Sequence, residues 1–171
     1  MSSDIDYRRL ARLLHIHLYS WNNALTNLIG DMQALMIHSY AENITRLWEL
    51  HGLDIRCLKD LRDELVKIGL LKDLYVKNLT REREGEVILV VEHCRMAPLV
   101  HRPMGLIGLP KSLCPLASMA MVALALERGW RPGKPIFDYV KFAKQLTRFT
   151  EDGSETTFEL PPIPVSKPVK H

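Results

Sequence analysis

Cysteine is scarce in this chain, and the few present do not pair by spacing. Cys57, Cys94 and Cys114 are the only three in 171 residues. An odd number with no CxxC argues against a disulfide framework and against the tight ligand pairs of a zinc finger. Long apolar runs are missing as well. The nearest, Leu116 to Leu126, falls short of the roughly 18–20 residues a bilayer span needs and is followed by Glu127-Arg128-Gly129. No membrane span is expected. The N-terminus lacks a basic patch followed by an apolar stretch, so no signal peptide is expected either. Together with the unpaired cysteines, this makes the reducing cytoplasm the expected compartment.

An excess of one charge sign is also absent. The net charge is +3, and basic residues alternate with acids, as in Arg81-Glu82-Arg83-Glu84. A nucleic-acid partner would favour an uninterrupted basic stripe, so none is expected. No glycine-rich phosphate loop appears: Gly105-Leu106-Ile107-Gly108 is too short and does not lead straight into a helix. What is present, 47% hydrophobic and 25% charged residues, is ordinary for a globular chain long enough to bury a full core. The reading is one domain over 1–160, with a proline-rich extended tail at 161–171.

The first half has helical periodicity. Leu10, Leu13, Leu14, His17, Trp21, Leu25 and Leu28 recur at three and four residues and predict a helix over 7–29, which Gly30 ends. A second helix over 32–51 has Leu35, Met36, Tyr40, Ile44, Leu47 and Trp48 as its buried stripe and stops at Gly52. A third, 55–68, stops at Gly69. The period then changes. Residues 74–80 and the apolar run 86–94 predict an antiparallel hairpin. A long loop, 95–112, leads to a helix that starts at Pro115 and ends before Gly129. Residues 135–147 carry both helical and strand signals, and the spacing of Ile136, Tyr139, Val140, Ala143 and Leu146 favours a helix. A last hairpin pairs 147–150 with 156–160 around Asp152-Gly153. The fold class expected is α+β, with N-terminal helices packed on a small antiparallel sheet and a buried apolar helix at 115–128.

Chemistry concentrates where strand 86–94, the loop and helix 115–128 meet. Cys114 stands at a helix N-terminus, where unpaired N–H groups and the helix dipole favour a thiolate. Cys94 ends the apolar strand and by alternation shares a face with Glu92, while His93 points the other way. A carboxylate there needs a partner, and Arg95, Arg102 or His101 are the candidates. Cys94, His101 and Cys114 form a three-donor set suited to zinc, with the fourth position left to water or Glu92. Haem, which would use His17, ranks behind zinc. His17 and Cys57 otherwise read as structural. Helix 115–128 is apolar nearly all round, so it is either central core or the wall of an apolar cavity, with Met119 and Val122 lining it.

The order of these elements resembles the four-vinyl reductase domain superfamily, small-molecule- and hydrocarbon-binding proteins related in fold to TRAPP small subunits and haem nitric-oxide-binding domains. The likeness covers Ala41 to Leu160. It rests on the helix ending in Lys67-Ile68-Gly69-Leu70, the strand ending in Cys94, Cys114-Pro115 opening an alanine-rich helix, and the hairpin from Glu151-Asp152-Gly153-Ser154 to Phe158-Glu159-Leu160. The Cys-Pro helix start is also similar to that of aminothiazoline carboxylate hydrolase-like proteins. The resemblance implies an α+β domain, dimerisation, and an apolar pocket near the cysteines. Members often carry a further cysteine just before the last strand, where this chain has Thr156-Thr157.

Three functions follow as expectations. The first is a ligand-binding or sensor domain that takes a small apolar molecule or a metal, with Glu92, Arg102, Met119 and Val122 at the ligand. The second is an interaction module acting as a homodimer. The third is an enzyme with Cys114 as nucleophile, His101 as base, and Glu92 or Arg102 assisting.

Overall fold

A computed structural model describes residues 9–10, 13–14, 16–18, 20–21, 33–77, 84–97 and 114–162. The expectations for Leu25, Leu28, the turn at 81–83, the loop residues 98–113 with His101 and Arg102, and the tail beyond 162 lie outside the described residues. Residues 9–21, where described, are helical. The ordered elements that follow are α1 (Gln33–Leu50), α2 (Leu58–Lys67), β1 (Asp73–Lys77), β2 (Gly85–Glu92), α3 (Pro115–Glu127), a short 3-10 turn at Ile136–Asp138, β3 (Lys141–Phe149) and β4 (Ser154–Leu160). The chain is an α+β fold.

The strands form one antiparallel sheet in the order β1-β2-β4-β3. Alternation gives the sheet two faces of different character. Leu74 sits opposite Val91, Leu89 opposite Thr156, and Val87 opposite Phe158, and all six are buried. This inner face carries the helices. The outer face carries cross-strand polar pairs: Lys77 Nζ lies 3.6 Å from Glu155 Oε1, and Arg148 Nη1 lies 3.5 Å from Glu155 Oε2. Such exposed pairs set the register more than they stabilise it.

α3 is the central helix. Leu116, Ala117, Ala120, Met121, Val122, Ala123, Leu124 and Ala125 are all buried. It contacts both α1 and α2 within the core. Small alanines let neighbouring backbones come close, which is how a short helix can be enclosed.

α1, α2 and α3 end alike. The N–H of Leu53 reaches Trp48 O at 2.8 Å, Leu70 N–H reaches Leu65 O at 3.0 Å, and Trp130 N–H reaches Ala125 O at 2.8 Å. Each bond closes over a glycine with positive φ (Gly52, Gly69 and Gly129). This is the Schellman arrangement, in which glycine takes the left-handed position and an apolar residue follows it back onto the helix.

Three expectations are corrected. Residues 135–147 do not form a helix: after the 3-10 turn they enter β3. The local spacing suits a helix, but the free edge of β4 offers a ladder that no local signal reveals. Phe142 packs on Phe158 with ring centroids 5.1 Å apart. The register then jumps from Phe142↔Phe158 to Thr147↔Thr156, a bulge that explains the mixed periodicity. On α1 the buried residues are Ala41, Thr45 and Trp48, while Leu47 is exposed. Of the expected stripe, Trp48 is buried and Tyr40 and Ile44 pack partly buried against the core, so Leu47 is the member found on the wrong side. Finally, Leu10, Leu13, Leu14, His17 and Trp21 are exposed rather than buried. His17 is no core histidine; its ring meets Trp21 edge-on, with centroids 6.3 Å apart.

Candidate functional site

The strand β2 delivers Cys94 through a local reversal. His93 has φ of +49°, a left-handed conformation that costs a non-glycine residue roughly 1–2 kcal/mol. Contacts to the β3–β4 turn hold it there. His93 Nδ1 lies 2.8 Å from Asp152 Oδ2, and Cys94 N–H donates to Asp152 O at 2.6 Å. Gly153 packs directly on the end of β2: a Cβ at that position would lie 1.9 Å from Val91 O. The reversal breaks the strand alternation, so Cys94 enters the apolar core, 3% exposed.

Glu92 does not accompany it. Its carboxylate accepts a hydrogen bond from Tyr75 Oη at 2.7 Å. The expected sharing of one face by Glu92 and Cys94 is thus corrected, because alternation holds only while the backbone stays extended. The partner of Glu92 is a tyrosine on the neighbouring strand instead of Arg95, Arg102 or His101. That bond pushes the Tyr75 phenol above its ordinary pKa.

Cys114 arrives from the other side, as the residue that caps α3 ahead of Pro115. It is 1% exposed and belongs to the same core cluster. Its backbone N–H donates to Thr147 Oγ1 at 2.9 Å, and Thr147 Oγ1 lies 3.0 Å from Thr156 Oγ1. Thr147, Thr156 and Ser154 are all buried. Ser154 faces the core through its pairing with Val91, and Thr156 through its pairing with Leu89. The inner face of the sheet, apolar at Phe158 and Leu160, therefore turns to hydroxyls at the end where the two thiols converge.

The electrostatics of Cys94 follow from this burial. Desolvation pushes its thiol above the ordinary value near 9, and the nearby Cys114 adds to the rise, while the N–H groups of Met96 and Ala97 pull the other way. At neutral pH, Cys94 is a protonated thiol with amide donors turned toward its sulfur. Amide–sulfur hydrogen bonds are the outer-shell support a metal-bound thiolate uses.

Of the expected metal donors, Cys94 and Cys114 are brought to one end of the core, and His101 lies outside the described residues. Among the described residues no group of three or more His, Cys, Asp or Glu is arranged to hold a metal ion. Of the expected ligand contacts, Val122 is fully buried in α3 and Met119 is half-buried against the same core, while Arg102 lies outside the described residues. Cys57 caps α2, with its N–H donating to Asp60 Oδ2 at 3.1 Å.

Thr147 and Thr156 were not singled out as candidate site residues from sequence. Their inward placement comes from the pairing of β3 with β4 and of β4 with β2, which joins residues far apart in the chain. No helix among the described residues is long and apolar enough to cross a membrane. Comparison with protein families, with curated proteins and with solved structures yields no match to this chain.

Proposed function

We propose that this chain is a small-molecule-binding domain whose site lies at the N-terminal end of α3. Cys94, Cys114, Thr147 and Thr156 form its polar end, and α3 with Met119 and Val122 forms its apolar wall. The observation that carries the reading is the gathering of Cys94, Cys114, Thr147, Ser154 and Thr156, all buried, at one end of the core. Thr147 and Thr156 bond to each other and Thr147 accepts from the Cys114 N–H, and a hydroxyl so bonded keeps acceptor capacity that a ligand's polar group would use.

The reading fits the resemblance to hydrocarbon-binding domains, which rests on the same strand end and the same Cys-Pro helix start. Were zinc the ligand, Cys94 and Cys114 would supply two donors and His101 a third. The enzyme reading has less to stand on. A thiol nucleophile works as an accessible thiolate, whereas Cys114 is 1% exposed and burial holds Cys94 protonated.

The test is native mass spectrometry, solvent extraction and elemental analysis of the purified full chain, beside Cys94→Ser and Cys114→Ser. The expected result is a co-purifying apolar molecule or near-stoichiometric zinc, diminished in both variants. A wild-type protein that carries neither, and takes up no apolar fluorescent probe, overturns the proposal and leaves the interaction module in its place.

A further inference from the structure

The polar end of the site holds one hydrogen more than its own groups use. Thr147 Oγ1 accepts the N–H of Cys114 at 2.9 Å and lies 3.0 Å from Thr156 Oγ1, where either hydroxyl can donate. Each hydroxyl has one hydrogen and two lone pairs. If Thr147 donates to Thr156, the Thr156 hydrogen is spare. If Thr156 donates, the Thr147 hydrogen is spare. Either way, one hydroxyl hydrogen has no partner among the described residues. Thr147 is 4% exposed and Thr156 1%, so this donor is shielded from bulk water and needs an acceptor. Cys94 adds a weaker donor. Its sulfur accepts from the N–H groups of Met96 and Ala97 and its thiol stays protonated, which leaves the S–H to give.

Charge is missing from the same end. Among the described residues the one buried charged side chain is Arg128. It follows the last residue of α3, on the order of 20 Å from Cys114 by the helical rise. The basic residues beside Cys94 in the chain are turned elsewhere. His93 Nδ1 meets Asp152 at 2.8 Å, and the Arg95 guanidinium lies across Gly69. A carboxylate or ammonium head placed among the threonines and thiols would be buried with no counter-charge from the described residues. A bare hydrocarbon would leave the spare hydrogen unmet.

We propose that the ligand of this site is an uncharged apolar molecule headed by an oxygen that accepts a hydrogen bond, as in a ketone, aldehyde or alcohol. The oxygen takes the spare hydroxyl hydrogen of the Thr147–Thr156 pair, and the apolar part lies along α3. This inference rests on the reading of this end of the core as a small-molecule site.

The test is displacement of an apolar fluorescent probe from the purified full chain by methyl octyl ketone, decanol, decane, decanoate and decylamine. The ketone and the alcohol should bind about threefold to tenfold more tightly than decane. Decanoate and decylamine should bind about tenfold or more weakly than the ketone. The double change Thr147→Val, Thr156→Val should erase the margin of ketone over decane while decane binds as before. Should that variant not fold, the infrared carbonyl stretch of the ketone bound to wild type decides, since a hydrogen-bonded carbonyl absorbs at lower frequency than the same ketone in hexane. Decane bound as tightly as the ketone, decanoate or decylamine bound more tightly, or an unshifted carbonyl overturns this inference and leaves the small-molecule site standing. Uptake of none of the five, nor of the probe, removes the site itself and this inference with it.

Discussion

At the residue scale, the placement of Cys94 depends on a position with no side chain. Gly153 lies against β2 so closely that an added Cβ would meet Val91 O at 1.9 Å and Val91 C at 3.0 Å. The obstacle is backbone, which cannot swing aside as a side-chain tip can. Gly133 is a useful contrast. Its φ is +88°, yet an added Cβ there would meet nothing within 4 Å. Gly133→Ala should therefore cost only the left-handed penalty, about 1–2 kcal/mol. Gly153→Ala should cost about 3 kcal/mol through overpacking and should also loosen the bond from Cys94 N–H to Asp152 O. Urea unfolding of the two variants measures the difference, and equal costs would show that the turn does not press on β2. His93 belongs to the same latch: its strained φ is held by Asp152, so the turn and the strand end fix each other.

At the element scale, the helices cap one another as well as themselves. α2 begins with unpaired N–H groups, as every helix does. Asp60 takes those of Arg56 at 2.9 Å and Cys57 at 3.1 Å, and its pKa falls below the ordinary carboxylate value as a result. The N–H of Leu58 is taken by Glu127 Oε2 at 3.3 Å, from the last residue of α3. A long-range carboxylate thus completes a local cap and pins the end of the central helix to the start of its neighbour. Glu127→Ala should destabilise the fold by about 1 kcal/mol and speed hydrogen exchange at Leu58. Unchanged exchange there would show that the cap is incidental. At the far end of the sheet, buried Arg128 donates to Pro161 O, which ties the exit of β4 to the end of α3.

At the scale of the whole molecule, stability should depend on pH through the buried thiol. The folded-state pKa of Cys94 is raised above its unfolded value near 9. Below that value the thiol is neutral in both states, and its contribution is fully present. As pH rises past 9 the unfolded chain ionises first, so the contribution is lost progressively toward the raised folded pKa. The urea midpoint should therefore fall between about pH 8 and about pH 10, and by less in Cys94→Ala. A variant as alkali-sensitive as the wild type would assign the effect to other groups.

The amino-acid sequence by itself determined the class of the fold and most of its punctuation. Gly52, Gly69 and Gly129 end their helices because only glycine takes the left-handed position cheaply. Pro115 starts α3, and the turn at Asp152-Gly153 makes the last hairpin. These are short-range effects, decided within a few residues of chain. Tertiary structure alone decided three things. Residues 141–149 became a strand because β4 lay beside them. Cys94 parted from Glu92 because the β3–β4 turn held His93 at a positive φ. Thr147 and Thr156 joined the thiols because cross-strand register, set by residues far apart in sequence, faced them inward. The apolar stripe of residues 10–21 was plain in the sequence, but its exposure was not: periodicity shows which side of a helix avoids water and says nothing of what covers it.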